Sequence, residues 1–572
     1  MKFKPIPSSV LIFVLLLLLN FAAHTSKFQE MGLYEDDYQF LGKAINWSSK
    51  EYVSHLKSTF TEEWPQGRPL GFILPQSAAF LVGKSFGLEG LFLLGTVILT
   101  INAFLFFHIV KHWSQNPQLA MLAAIAFSLF PADTTKSYLT HMFHIQPSVL
   151  FCLIAILIFI RAPRYRWLTY LLGFGCLITY ETPFSLIVLL PILTDESRTK
   201  SVWVKHFIWT TAIVLLAVGI RLFFNESRIL SLGNTATLMA ELIAGMVIGP
   251  VISLGLFLYG PARTVLHMNR DLILVMGVSF LCFAPLVLWG FLRWNKGREL
   301  KNQMPVTWQW KKIMIELPHW VAVWLKQIGI IWLWLMSAYL LAFTHYPPVI
   351  RYGRGTSVHI SATIPAALCF AVLVWGLWRM VSGYRRLKIL FLLVLVGYLS
   401  VSVGNRYSIQ QDFAKSWTDQ KQFWQQVVPL VADSRDGTVI FVLNHQLPEV
   451  HYIITHSWAD YFLLEELIEY PDEWTRKPMV LVTDGNWERN LLVRNGKISY
   501  PWSLYWDFVI DPENIILLSD KSDGNLERVA GEIHTFTGVH MQAFPLSEEA
   551  LLFSERPVKP LYELMLDDVP AN

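Results

Sequence analysis

Three consecutive carboxylates, Glu35-Asp36-Asp37, stand shortly after the first long apolar run, and no other run of three occurs among the 17 acidic residues before residue 405. Adjacent carboxylates repel one another and raise the pKa of at least one member, which suits a general base or a cation site at a lipid–water boundary. The same residues also read as the charged, solvated start of a loop. Eight of the 17, Glu30 through Glu89, fall in this one stretch. Elsewhere in the apolar part carboxylates are scarce, so each one that remains carries weight.

Asp133 follows Pro131 at the end of an apolar run, with Lys136, His141 and His144 close behind. It reads either as a second acidic site or as a solvated loop residue. The histidines read as polar contacts near a membrane interface, because spacing supplies no third metal ligand. A late polar stretch carries Arg351, Gly353, Arg354 and Gly355 and ends at His359. Arginine forks match phosphate oxygens and glycines let backbone N–H groups approach an anion, although arginines also snorkel to lipid headgroups. Glu181, in Thr179-Tyr180-Glu181-Thr182-Pro183, is an ionisable group within an apolar run, which marks a functional candidate unless Arg221 pairs with it structurally.

These residues sit on membrane-type elements. Of 572 residues, 53% are hydrophobic and 16% charged, against roughly 25% charged in a soluble domain. Mean hydropathy is +0.41. A purely soluble protein is excluded, as is a disordered chain, since 23 Trp, 38 Phe and 20 Tyr are too many. Apolar runs occupy 10–23, 88–110, 118–131, 139–160, 167–193, 207–224, 238–259, 272–292, 321–343, 360–378 and 389–403, which predicts about 11 spans. The count becomes 12 if 167–193, interrupted by Glu181 and Pro183, is two short helices. The segment 70–83 is too short to span and contains Pro75, so it reads as an interfacial or re-entrant helix.

Basic clusters at 161–166, 293–301 and 379–388 mark three loops as cytoplasmic. With the first run read as an uncleaved signal anchor and the amino terminus inside, 11 spans satisfy all three and leave the carboxyl-terminal tail outside. Residues 1–404 then form a transmembrane domain whose first outer loop is 27–87. Residues 405–572 form a soluble α/β or α+β domain, with short buried strands at 438–443, 479–483 and 515–518 and helical or turn character at 460–470 and 484–486. His445, His451 and His456 in this tail match neither a zinc pair nor a nucleophile motif. Cys152, Cys176, Cys282 and Cys369 lie inside apolar runs and read as packing residues.

The order of a first span, an acidic pair, an amphipathic stretch at 38–60, the sequence Trp64-Pro65-Gln66-Gly67-Arg68-Pro69-Leu70 and a short apolar helix resembles the polytopic GT-C glycosyltransferases. It is most similar to the bacterial branch that includes protein mannosyltransferases, the aminoarabinose transferase and O-antigen glucosyltransferases. The resemblance covers roughly residues 1–400 and implies transfer of a sugar from a polyprenyl-phosphate donor to a lipid, glycan or protein acceptor. It places the catalytic base on Asp36, with Asp37 where many members have Glu. It also makes Asp133 a second acidic site, and Arg351, Arg354 and Lys136 donor-phosphate ligands. Arg68, Glu181 and His359 are expected to line the substrate cavity. A divalent cation, magnesium or manganese, is compatible with this chemistry, but no metal-ligand spacing demands one.

Two other classes fit the composition: a catalytically silent relative acting in assembly or binding, and a secondary transporter or flippase. The second usually shows repeated halves, and here the features are lopsided. The net charge of +3 points to no polyanionic partner, nucleic acid included, and it is a cancellation. Residues 1–404 carry 33 basic and 17 acidic groups, net +16, and residues 405–572 carry 13 and 26, net −13.

Overall fold

The computed structural model describes residues 8–194, 199–226, 235–299, 326–342, 348, 353–381, 383–443, 450–483, 492–494, 497–503, 506–521, 524–534, 540–545 and 557–566. The chain is mostly helical and ends in a mixed α/β sheet region. It divides into two compact units. One comprises Met1–Lys27, Ser54–Pro75 and Phe92–Gln411, the other Phe28–Val53, Gln76–Leu91 and Asp412–Asn572.

Among the described residues, six helical segments are long and apolar enough to cross a membrane: Pro69–Ser114, His141–Arg161, Lys200–Phe223, Met239–Leu266, Thr363–Val381 and Arg385–Leu430. Their burial separates interior from peripheral helices. The apolar window of His141–Arg161 is 67% buried, whereas that of Lys200–Phe223 is 22% buried and leaves Ile208, Trp209 and Leu215 exposed. A helix that is apolar all round and uncovered on most of its surface is solvated by lipid.

The interior of the first unit is closed by small residues. Helices Pro117–Ser128 and Thr363–Val381 pack together, and Ala120, Ala123, Ala124, Ala366, Ala367 and Ala371 are all buried. Small side chains let backbones approach and gain dispersion contacts where lipid tails remove the hydrophobic drive between helices. Helix Pro117–Ser128 starts where Asn116 accepts hydrogen bonds from the N–H groups of Gln118 (3.0 Å) and Leu119 (3.2 Å), with Pro117 in the first turn.

Several expected spans take a different form. The first run is a helix Ser8–Asn20 continued by a wider turn Phe21–Thr25, and 118–131 is a helix of 12 residues, both short for a crossing. The run 167–193 is two helices, Arg166–Thr179 and Phe184–Val188; the first ends where Tyr180 turns extended (φ −153°, ψ 113°), and Pro183, which lacks an N–H, immediately precedes the second. The segment 70–83 is helix Pro69–Ala78 continued by the wider turn Ala79–Gly83. It runs on within the helical segment Pro69–Ser114, which changes direction at Gly87 (φ +64°), where a residue without Cβ tolerates the left-handed region. The run 272–292 lies in helix Arg270–Glu299. Residues 321–325 and 343 of the run at 321–343, with Asp195, Glu196, Arg351, His445 and the turn at 484–486, fall outside the described residues.

In the second unit, strands β1 (Val439–Leu443), β2 (Met479–Thr483) and β6 (Ile515–Asp520) form a parallel core in the order β2-β1-β6, with Val439 opposite Met479 and Ile515. Four of five β1 side chains are buried, which is why this central strand is a continuous apolar run. Helix Asp460–Leu467 lies in the connection from β1 to β2 and packs on β2. Strands β3 (Leu492–Arg494), β4 (Lys497–Ser503) and β5 (Trp506–Ile510) make an antiparallel sheet of their own. Strands β7 (Leu526–Val529), β8 (Gly531–His534) and β9 (His540–Ala543) extend the main sheet, with β7 and β9 both pairing β6.

Candidate functional site

The acidic turn lies in the second unit and is buried. Asp37 is fully covered, Glu35 is 5% exposed and Asp36 8% exposed, so these carboxylates are not a solvated loop start. Glu35 adopts φ +44°, a conformation that non-glycine residues rarely take. The turn closes through Asp37 N–H to the Tyr34 carbonyl (2.8 Å), while one Asp37 carboxylate oxygen accepts from the Tyr34 N–H (3.1 Å). Asp37 therefore helps to form the turn, the usual work of an aspartate beside a reversal.

Two phenols fasten the turn to the long helix. Tyr34 donates to the Phe413 carbonyl (2.7 Å) and Tyr38 to Gln420 Oε1 (2.7 Å). Burial pushes both phenols well above their ordinary pKa, so they remain protonated donors. Asp36 faces another way. Its Oδ1 accepts from the indole N–H of Trp458 at 2.9 Å.

Gly32, just before the turn, lies against Trp417: a Cβ there would fall 2.0 Å from the indole ring, which is itself buried. Gly32→Ala is expected to destabilise the chain by about 1–3 kcal/mol through overpacking. A thermal unfolding midpoint equal to that of the unmodified chain would show that the indole shifts freely.

A second polar cluster lies in the first unit and joins three segments. Thr134 Oγ1 lies 2.9 Å from Thr356 Oγ1, and Gly353 donates its N–H to Thr134 (3.2 Å). Gly353 opens the short turn Gly353–His359 that carries the half-buried Arg354, and its φ of +77° favours glycine. Ser361, just beyond, donates to Thr182 (2.8 Å) in the break between helices Arg166–Thr179 and Phe184–Val188.

That break presents Glu181 to two arginines. Arg68 binds it through both forks, Nε to Oε2 at 2.8 Å and Nη2 to Oε1 at 2.5 Å, and Arg221 stands 3.6 Å from Oε2. Arg221 also donates to the Leu177 carbonyl (3.0 Å), and the Arg68 guanidinium lies 4.8 Å over the Tyr180 ring. The sequence offered Arg221 as partner. The geometry makes Arg68 the closer, bidentate one, while Arg221 lies against the backbone of Gly67 (φ +66°), where a Cβ would collide with it.

Asp133 is fully buried and uses Oδ1 to hold Thr135, through its N–H (2.9 Å) and hydroxyl (2.7 Å). The Asp133 carbonyl accepts from Arg406 Nη1 at 2.6 Å. Lys136 is held inside the same loop, its ammonium donating to the Phe127 carbonyl (2.7 Å). His359 is buried, with Nδ1 2.7 Å from the Tyr339 hydroxyl. His144 Nε2 lies 2.8 Å from the Thr179 carbonyl. Arg351 lies outside the described residues. No group of three His, Cys, Asp or Glu placed to hold a metal occurs among the described residues.

Burial, then the charge of Arg406, brings the Lys136 pKa down to about 7, while Asp133 pulls it upward. The folded chain thus binds fewer protons than the unfolded one between about pH 7 and the ordinary lysine value of roughly 10.4, and stability rises with pH there. Unfolding midpoints measured from pH 7 to 9 are expected to climb, and Lys136→Met to flatten the slope. An unchanged slope in the variant would assign the dependence elsewhere.

Arg406 and Trp458 were not singled out from the sequence. A lone arginine just past the apolar run 389–403 was a usable signal for the first. Nothing local marked the second. No protein-family model matches the chain, and no curated protein matches it.

Proposed function

We propose that the chain is an integral-membrane glycosyltransferase of the GT-C type. It moves a sugar from a polyprenyl-phosphate donor to an acceptor hydroxyl on the non-cytoplasmic face, with inversion. The observation that carries this reading is the acidic turn: an ordered, buried reversal in which Asp37 closes the backbone and Asp36 faces a different partner. Solvated charge runs have no such architecture.

In this reading Asp36 takes the acceptor hydroxyl proton as that oxygen bonds to the anomeric carbon. The bond from anomeric carbon to phosphate oxygen breaks, and the polyprenyl phosphate leaves with the electron pair. Arg351 and Arg354, on one polar stretch, are the residues that the resemblance assigns to the departing phosphate. Lys136 is assigned to its loop, since its ammonium is occupied by backbone carbonyl. Asp133 likewise holds Thr135 and shapes the loop beside that turn. The basic clusters at 161–166, 293–301 and 379–388 support an orientation with a cytoplasmic amino terminus and an extracytoplasmic α/β region.

The deciding experiment incubates the purified full chain with polyprenyl-phosphate glucose or mannose radiolabelled in the sugar, in the presence of membrane glycolipid or saccharide acceptors. Release of free polyprenyl phosphate with label in a new product is expected. Binding of the donor without turnover would favour a silent relative, and movement of label across sealed vesicles without chemistry would favour a flippase.

A further inference from the structure

We propose that Trp458 is a positioning residue for Asp36, so that the carboxyl-terminal α/β region completes the catalytic centre. The inference rests on the reading of Asp36 as the base. The indole N–H meets Asp36 Oδ1 at 2.9 Å, across 422 residues of chain. An indole nitrogen only donates, so the contact aims the carboxylate plane from Oδ1. A general base needs its proton-accepting oxygen within hydrogen-bond reach of the acceptor, and small misplacements cost rate steeply.

The segment that carries Trp458 is built to hold it. Asp460 opens helix Asp460–Leu467, and its Oδ2 accepts from the Ser457 N–H (3.1 Å) and lies 2.9 Å from His456 Nδ1. These contacts bracket Trp458 on both sides. His456 packs edge-on against Phe423 (4.4 Å between ring centres), and Trp458 itself lies 5.6 Å from the Phe462 ring. On the other side, Tyr34 and Tyr38 tie the acidic turn to residues 413 and 420 of the long helix. Both partners of the hydrogen bond are thus held against the same helix, at residues 413, 420 and 423, which fixes their spacing as a positioning contact requires. Trp458 is half-buried.

The test compares Trp458→Phe, Trp458→His and Asp36→Asn in the full chain, using the same radiolabelled polyprenyl-phosphate hexose. Trp458→Phe keeps a ring and removes the N–H. It is expected to lower kcat roughly tenfold or more with KM for the donor unchanged and an unfolding midpoint like that of the unmodified chain. Trp458→His, which retains a ring N–H, is expected to recover part of that loss. A Trp458→Phe chain with normal kcat, a loss seen in KM alone, equal losses in the Phe and His variants, or failure to fold would each overturn the positioning role. Asp36→Asn separates the two readings: if it is inactive while Trp458→Phe is normal, the base stands and the positioning falls, whereas an active Asp36→Asn removes both.

Discussion

Asp36→Asn is expected to reduce sugar transfer by at least about a hundredfold, the scale lost when a positioned general base is removed. The amide has nearly the same shape and its oxygen can still accept from Trp458, so the buried turn keeps its hydrogen bond and the chain keeps its fold. Only the capacity to take a proton disappears. The measurement is donor turnover beside a thermal unfolding midpoint. A turnover equal to that of the unmodified chain, with the midpoint also unchanged, would remove Asp36 from the chemistry. Asp37→Asn should behave differently. That side chain accepts from the Tyr34 N–H, which an amide oxygen also does, so a small loss is expected.

Glu181→Gln carries the largest expected stability effect. The carboxylate neutralises Arg68 through two close hydrogen bonds and stands near Arg221, and the side chains of the Arg68–Glu181 pair are only 9% and 16% exposed. Removing one partner of a buried ion pair leaves a desolvated charge behind, at about 3–5 kcal/mol. A glutamine oxygen still accepts one hydrogen bond, so the lower end of that range is expected, read as a drop of several degrees in the unfolding midpoint of the purified chain. Arg221→Met should cost less, since its nitrogen is 3.6 Å from the carboxylate and Arg68 remains in place. Equal midpoints for Glu181→Gln and the unmodified chain would show that the pair contributes nothing net.

Much of this fold is legible in local pattern. Strands β1, β2 and β6 announce themselves as short apolar runs because both their faces are covered, and their observed bounds match the expected ones within a residue or two. The short β7, β8 and β9 do not, because segments such as Gly531–His534 have too few apolar residues to show a period. Apolar run length likewise marks the membrane helices but not their breaks. Pro75 lies inside helix Pro69–Ala78, while Pro183 stands in the break between Arg166–Thr179 and Phe184–Val188, so a proline in an apolar run does not by itself say where a helix stops.

Composition and run length by themselves determined that this is a chain rich in membrane-type helices followed by an acidic α/β region, because apolar area and charge are properties of each segment alone. They also isolated the carboxylates worth testing. Tertiary structure alone decided their surroundings: that Glu35, Asp36 and Asp37 are buried, that Glu181 belongs to Arg68, and that Asp36 faces an indole 422 residues away. Hydrogen bonds are directional and short, so they depend on where distant segments are brought together, and no local spacing encodes that.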